Sequence, residues 1–296
     1  ADDGAKIWLD MQDPAPGELE EWLDRLAVSG LARRLCLGAG DHSGFYPLRR
    51  EIVLVLPVLA HTEGPREVDH VAFLCREGLL LTVHRSPVYG PHRLSELQEA
   101  EDWLPEASVA ALVAAMLIDL SHDGLRHVTN LRRAVLDLDR RMDRDPESVE
   151  AEEILDVRSD LLTLGAVVGD QLPSVQALSR TDRPFLRREH TRDFVNCALV
   201  NLQAADGALD WLDQQVGSLR SGLEMYAQEK TNRRLGMLTI LSAIFMPVTL
   251  LASIWGMNFE VMPELKYPYA YPLALGFMIA VGAGMYLFFR RTGWLD

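Results

Sequence analysis

An uncharged stretch in the last quarter of the chain decides the fold: LGMLTILSAIFMPVTLLASIWGMNF, residues 235–259. It lies between Arg234 and Glu260, and as a helix it is long enough to cross a hydrocarbon core of about 30 Å. A second uncharged window, YPYAYPLALGFMIAVGAGMYLFF, occupies residues 267–289 and carries aromatic residues at both ends, as interfacial anchors do. We therefore expect two membrane crossings, with a buried helical hairpin in a soluble core as the alternative.

Basic residues flank the two windows on one side of the expected membrane. Cytoplasmic flanks carry an excess of lysine and arginine, so both termini are expected in the cytoplasm. The connecting loop has one base, Lys266, and two acids, Glu260 and Glu264, and is expected on the opposite side. The flanking bases are Lys230, Arg233, Arg234, Arg290 and Arg291.

A stripe of mostly small or hydroxyl-bearing residues follows one face of the first window. Its members are separated by alternating steps of four and three residues, which place them on one side of a helix. Such a stripe is typical either of a tight helix-packing seam or of a pore lining, and a pore needs several copies of the chain. The residues are Leu235, Thr239, Ser242, Met246, Thr249, Ser253 and Gly256.

The charge of the chain belongs to the region before the membrane windows. The formal net charge is −14, and the acids and bases of residues 235–296 cancel. An acidic region repels nucleic acid and raises the local concentration of cations, so metal ions are the natural partners to consider, with an ordinary acidic soluble region as the alternative. Neither a GxxxxGK loop nor GxGxxG indicates a nucleotide, and neither GxSxG nor HExxH indicates an enzyme.

The first 180 residues predict a mixed α+β fold. Strands are predicted at residues 52–59, 71–75 and 79–84, with the last two joined as a hairpin, because they are short apolar runs bounded by turn residues. A helix is predicted from Asp13-Pro14 through Val28, and helices from about residue 107 to 180. Asp145-Pro146 is typical of a helix N-cap with proline at the first helical position, and it predicts an antiparallel hairpin with an acidic tip.

A long helix is predicted between this region and the first window. No proline occurs from Phe185 to Met246, so one helix from near Pro184 into the membrane would be roughly 90 Å long. A heptad-like seam follows this helix, and because such a length is unusual for a monomer, we expect the helix to stand in a bundle with other copies of the chain. The seam residues are Ala205, Leu209, Leu212, Val216, Leu219, Leu223 and Tyr226.

Several motifs of the C-terminal quarter resemble the CorA family of divalent-cation channels. The first window contains Met246-Pro247 and ends in Gly256-Met257-Asn258, and MPEL follows at residues 262–265. The basic end FFRRTGWLD is similar to the short cytosolic tail of that family, and LLLTVHRSP at residues 79–87 is similar to a strand of its N-terminal domain.

The resemblance implies a CorA-like homopentamer in the inner or plasma membrane, with a cytosolic αβα funnel, a stalk helix and two transmembrane helices. The implied division is a cytosolic domain with an acidic helical hairpin at 1–184, a stalk at 185–234, a pore-lining transmembrane helix at 235–256, an extracytoplasmic loop at 257–268, a second transmembrane helix at 269–290 and a cytosolic tail at 291–296.

The resemblance also implies roles for single residues in passive Mg²⁺ transport, with Co²⁺ and Ni²⁺ as further ions. Gly256, Met257 and Asn258 would form the selectivity filter. A ring of asparagine amide oxygens there would accept hydrogen bonds from the water shell of Mg²⁺, which the ion gives up reluctantly. Gly256 is equally typical of an ordinary helix C-terminus. Divalent ions also bind the cytosolic domains of the family, and Asp193 is the candidate for such a regulatory site. The implied pore-lining residues are Leu235, Leu238, Ser242, Met246, Thr249 and Ser253.

Two alternatives remain open at this point. Asn232-Arg233-Arg234 is similar to the zinc-transporting branch of the same superfamily, whereas MPEL favours the magnesium branch. A membrane-anchored scaffold that has kept the fold and does not conduct ions is the alternative from another class of protein.

Overall fold

The computed structural model describes residues 7–38, 40, 43–60, 68–85, 108–182, 189–257 and 262–294. The chain divides into two compact units, Ala1–Arg220 and Ser221–Asp296. The first unit contains a sheet covered by helices, and the second contains two apolar helical segments.

A five-stranded sheet forms the centre of the first unit. Its strands are β1 (Ile7–Gln12), β2 (Gly44–Pro47), β3 (Ile52–Leu59), β4 (Val68–Arg76) and β5 (Leu79–His84). They lie in the order β1-β5-β4-β3-β2, in which β1 runs parallel to β5 and the other neighbours are antiparallel. The hairpin predicted across residues 76–78 is present, and it pairs β4 with β5.

Six α-helices surround the sheet or continue beyond it in the described part of the chain. They are α1 (Pro16–Arg25), α2 (Gly30–Leu37), α3 (Val109–Arg144), α4 (Ala151–Ser179), α5 (Glu189–Trp255) and α6 (Ala270–Arg291). Short 3-10 turns occupy Pro146–Ser148 and Pro263–Lys266. The predicted start of the long helix near Pro184 lies outside the described residues.

The two faces of the sheet are buried in separate cores, because successive side chains of a strand point to opposite sides. Leu54 and Phe73 lie in the core shared with α3, α4 and the start of α5. Val55 and Leu74 lie in the core shared with α1 and α2. The unit is therefore an αβα sandwich, which confirms the predicted α+β architecture.

Two strands and one helix were missed in the predictions from sequence. The edge strand β1 alternates only irregularly between exposed and half-buried residues, and β2 has only four residues, so neither shows a clear apolar pattern. The single helix predicted from Asp13-Pro14 to Val28 is wrong in its bounds. Helix α1 ends at Arg25, and α2 begins after Ser29, whose Oγ accepts the Ala32 N–H at 3.4 Å.

The antiparallel helices α3 and α4 are joined as predicted, but Asp145 does not cap α4. Its carboxylate accepts the Glu147 N–H of the 3-10 turn at 3.2 Å, and α4 begins only at Ala151. The Glu150 N–H donates to Glu153, which also binds the Arg141 guanidinium at 2.6 Å. These bonds hold the pKa of Glu153 below its usual range, so part of the acidic tip is paired with arginine.

The heptad-like seam of α5 is buried within its own chain. From Ala205 to Leu219 its members are buried, and Leu223 and Tyr226 are half-buried. The Asn201 amide donates to Ser121 Oγ of α3 at 3.0 Å, and the Arg132 guanidinium lies 5.1 Å from the Trp211 ring centre. The chain itself thus supplies partners for this seam, and the bundle of copies stays a prediction, because a heptad pattern requires a partner helix without specifying its chain.

A buried ion pair fastens the turn between α1 and α2 to the sheet. The side chain of Glu51 is 1% exposed and accepts the Ser29 N–H at 3.0 Å and the Arg76 Nε–H at 2.8 Å. Arg76 also donates to the carbonyl of Leu26 at 2.7 Å. Burial alone would raise the pKa of Glu51, but the bonds from Ser29 and Arg76 outweigh it, so the pKa lies below its usual range.

Candidate functional site

The least exposed residues of the apolar part of α5 share one helical face, and Val248 on that face meets α6. On α5 this face is centred on Ile240, which is 4% exposed. A Cβ atom placed on Gly282 of α6 would lie 3.8 Å from Cγ2 of Val248, so the two helices approach closely there. The other residues of the face on α5 are half-buried: Ala243, Ile244, Pro247, Leu251 and Trp255.

The predicted hydroxyl stripe lies on the opposite side of α5. Thr249 follows Ile240 by two and a half helical turns, which points the two side chains in opposite directions. Met246, also in the stripe, is 72% exposed. The stripe is therefore not the seam to the chain's own second span. The other predicted pore residues are exposed too: Leu235, Leu238, Ser242, Thr249 and Ser253.

The stripe ends where α5 ends. The helix stops at Trp255, the Gly256 N–H donates to the carbonyl of Ala252 at 2.9 Å, and the Met257 N–H donates to Ile254 at 3.3 Å. A Cβ on Gly256 would lie 3.2 Å from the Ala252 oxygen, tighter than ordinary contact. Gly256 is thus a helix-terminal glycine, as expected, but without a left-handed backbone.

Three residues of the loop between the two apolar segments were predicted to contribute to the site. Asn258 and Glu260 lie outside the described residues. Glu264 lies within the 3-10 turn Pro263–Lys266, which leads to α6.

The candidate regulatory residue Asp193 lies on α5 in the first unit and is exposed. Within the described ranges it belongs to no group of three or more histidine, cysteine, aspartate or glutamate residues that could hold a metal ion.

Both apolar segments have the properties of membrane spans. Their most apolar windows have mean hydropathies of 2.1 in Thr191–Trp255 and 1.9 in Ala270–Arg291, and 6% and 0% of these windows are buried. Core helices of a soluble protein bury their apolar surface, so the alternative of a buried hairpin does not fit. The fold defines a two-span membrane protein with an αβα domain.

Comparison with known proteins identifies the family. The family model for the CorA-like Mg²⁺ transporter protein matches residues 3–291. The chain is 30% identical to the magnesium transport protein CorA of Mannheimia succiniciproducens, over 98% of this chain and 92% of that protein. The chain belongs to the CorA-like Mg²⁺ transporter family.

Solved structures share the fold. The complete CorA magnesium transporter of Methanocaldococcus jannaschii matches with a TM-score of 0.87 at 19% identity, covering 99% of this chain and 93% of that one. The cytoplasmic domain of ZntB from Vibrio parahaemolyticus matches with a TM-score of 0.65 at 13% identity, covering 76% of this chain and 89% of that domain. At such identities these likenesses describe the fold alone.

The contact between Val248 of α5 and Gly282 of α6 was not predicted from the sequence. The periodicity of small residues along a membrane helix indicates close packing, but it does not name the partner.

A leucine at Gly282 is expected to separate α5 from α6, because its side chain would occupy the space next to Val248. Overpacking of this kind costs about 1–3 kcal/mol. The measurement is the thermal unfolding midpoint of the purified full chain in detergent. Gly284→Leu is the matched control, since a Cβ at Gly284 meets nothing within 4 Å. Equal midpoints for the two variants would contradict the packing assignment.

Proposed function

We propose that this chain forms a passive Mg²⁺ channel of the inner or plasma membrane, assembled as a homopentamer around a water-filled axis. The observation that carries the proposal is the exposed stripe on α5, which the chain's own second span leaves uncovered. Membership of a magnesium transporter family supports Mg²⁺ as the transported ion, and Co²⁺ and Ni²⁺ are further candidates. One hairpin cannot enclose water, so several copies must contribute their stripes.

The stripe has different chemistry along its length. Thr249 and Ser253 would form rings of hydroxyl oxygens that accept hydrogen bonds from the water shell of Mg²⁺, which keeps several of its waters when bound. Met246 and Leu235 or Leu238 would form apolar constrictions that close by dewetting. The ion would thus pass hydrated through the polar rings and be stopped at the apolar ones.

Asn258 would form the outer selectivity filter, together with the turn at Gly256 and Met257. Five amide oxygens are neutral acceptors suited to a hydrated cation. Glu260 and Glu264 would raise the cation concentration at the mouth, because acidic groups attract counter-ions.

The topology follows from the flanking bases. The αβα domain at 1–184, the stalk at 185–234 and the tail at 291–296 would lie in the cytoplasm, and the loop at 257–268 outside it. Asp193 on the stalk is the candidate for a regulatory divalent ion.

Flux into liposomes tests the proposal. Purified full chain, reconstituted with a fluorescent ion indicator inside, is expected to admit Mg²⁺ without a proton gradient. Asn258→Ala is expected to change the preference among Mg²⁺, Co²⁺, Ni²⁺ and Zn²⁺, since the proposed amide ring is lost. Asn130→Ala, an exposed asparagine on α3, is the matched control and is expected to leave flux unchanged.

The other outcomes assign the protein differently. Zn²⁺ entry that depends on a proton gradient would favour the zinc branch of the superfamily. No flux of any of these ions would favour a scaffold, and an unchanged ion preference in Asn258→Ala would refute the filter.

A further inference from the structure

An apolar groove separates the end of α5 from the beginning of α6. Its volume is about 1000 Å³. It is lined on one side by Ala252, Trp255 and Gly256, and on the other by residues from Tyr267 to Met278. None of the lining residues is charged. All of them belong to the second unit, Ser221–Asp296.

The groove exists because small residues line both helices. Ala252 and Gly256 are one turn apart on α5, and Ala270 and Ala274 are one turn apart on α6, so each pair lies on a single helical face. Where Val248 and Gly282 meet, the helices are in contact. Beyond that contact, the side chains of Ala252, Gly256, Ala270 and Ala274 are too small to fill the space between the helices.

The lining changes in character along the groove. Trp255, Tyr267 and Tyr271 lie near the loop, and Phe277 and Met278 lie deeper along α6. Tryptophan and tyrosine are enriched at the level of lipid head groups, whereas the hydrocarbon region favours purely apolar side chains. The groove therefore has the polarity profile of one membrane leaflet.

The groove is about as long as one hydrocarbon leaflet is thick, and the charged residue nearest its mouth is the basic Lys266, so both features suit a phospholipid. From Ala270 to Met278, α6 rises about 12 Å, close to the roughly 15 Å of one hydrocarbon leaflet. Lys266 is exposed and directly precedes Tyr267 at the mouth of the groove. It is the sole basic residue between Arg234 and Arg290 in the sequence, so it places a positive charge at the level of lipid phosphates.

We propose that this groove binds a phospholipid of the outer leaflet, with one acyl chain between α5 and α6 and its phosphate next to Lys266. The bound acyl chain fills the space that the small residues Ala252, Gly256, Ala270 and Ala274 leave between the helices. It also packs against α5 just before the Gly256-Met257 turn. This inference goes beyond ion conduction. It rests on the two-span membrane fold and on the proposed orientation of the spans, and it stands whether or not the protein conducts Mg²⁺.

Quenching of Trp255 fluorescence tests the proposal, because bromine on an acyl chain quenches a tryptophan that it touches. The full chain carrying Trp294→Phe is reconstituted in vesicles of dibrominated phosphatidylglycerol and then extracted into lipid-free detergent. Trp255 is then the remaining tryptophan of the second unit, and its emission is the difference from a matched preparation that also carries Trp255→Phe, because Trp8, Trp22, Trp103 and Trp211 contribute equally to both. We expect its emission to stay at least about twofold below that of protein from unbrominated vesicles, as a buried acyl chain leaves its pocket slowly.

Matched variants locate the lipid. Ala274→Phe fills the groove and is expected to abolish the retained quenching, whereas Ala283→Phe, at an exposed alanine outside the groove, is expected to keep it. Lys266→Gln leaves the groove open and is expected to weaken retention through the lost charge. The size of each assembly, measured by light scattering, shows that the variants remain assembled.

Three results would overturn the proposal. Full recovery of Trp255 emission after extraction would show that no lipid is retained. Equal quenching in Ala274→Phe and Ala283→Phe would place the lipid elsewhere. Absence of quenching in the vesicles themselves would show that a second copy of the chain covers the groove.

Discussion

Thr249→Trp is expected to lower Mg²⁺ flux into liposomes by at least about tenfold, because large apolar side chains from every copy would meet at one level of the proposed pore and exclude water. Thr249 is exposed on the side of α5 opposite the Ile240 face that packs against α6. The substitution therefore leaves the contact between the two spans intact. The measurement is the initial rate of Mg²⁺ entry per reconstituted protein.

The matched control is the same substitution one residue later. Leu250 is 61% exposed and Thr249 is exposed as well, but Leu250 lies outside the stripe. Leu250→Trp is expected to keep flux within about twofold of the unaltered protein, since lipid or a neighbouring helix accommodates an apolar side chain there. Equal losses in the two variants would mean that the stripe does not line the ion path.

Arg76→Met is expected to lower the stability of the αβα unit by about 3–5 kcal/mol, because it leaves the buried Glu51 carboxylate without its cation. The variant also removes the donor to the Leu26 carbonyl, which fixes the turn between α1 and α2. The measurement is the denaturant midpoint of the purified full chain, followed by the fluorescence of Trp22 on α1 and the other tryptophans.

Two comparisons separate this effect from the general loss of an arginine. Arg25→Met breaks the exposed pair with Glu21 (2.6 Å), and exposed pairs contribute only about 0–1 kcal/mol. The second comparison is pH. Since the pKa of Glu51 is lowered by folding, its contribution is present above the pKa of the unfolded chain and is lost as the pH falls through the folded value. The stability difference between unaltered protein and Arg76→Met should therefore shrink in acid.

The parts of the fold that could be predicted are those in which one segment determines its own environment. The two uncharged windows and the buried strand β3 show this directly, because continuous apolar runs are incompatible with water. The stripe from Leu235 to Gly256 could also be placed on one helical face from the sequence, because that placement depends only on the period of the helix.

The remaining features depend on contacts between distant segments. The seam of α5 required a partner, but its pattern did not show that α3 of the same chain provides it. The edge strand β1 depends on pairing with β5, 72 residues later at Ile7 and Leu79, rather than on its own sequence. The groove at Ala252 and Ala274 arises from two separate helices that both carry small residues, and neither helix alone reveals it.

The orientation of α5 in the assembled protein tests the central claim most directly. Electron cryomicroscopy of the full chain in lipid nanodiscs can resolve both the number of copies and the direction of each side chain. We expect five identical copies around an axis, with Thr249 and Ser253 facing the aqueous space between them. A single chain without symmetry mates, or an assembly in which those hydroxyls face lipid, would contradict the channel.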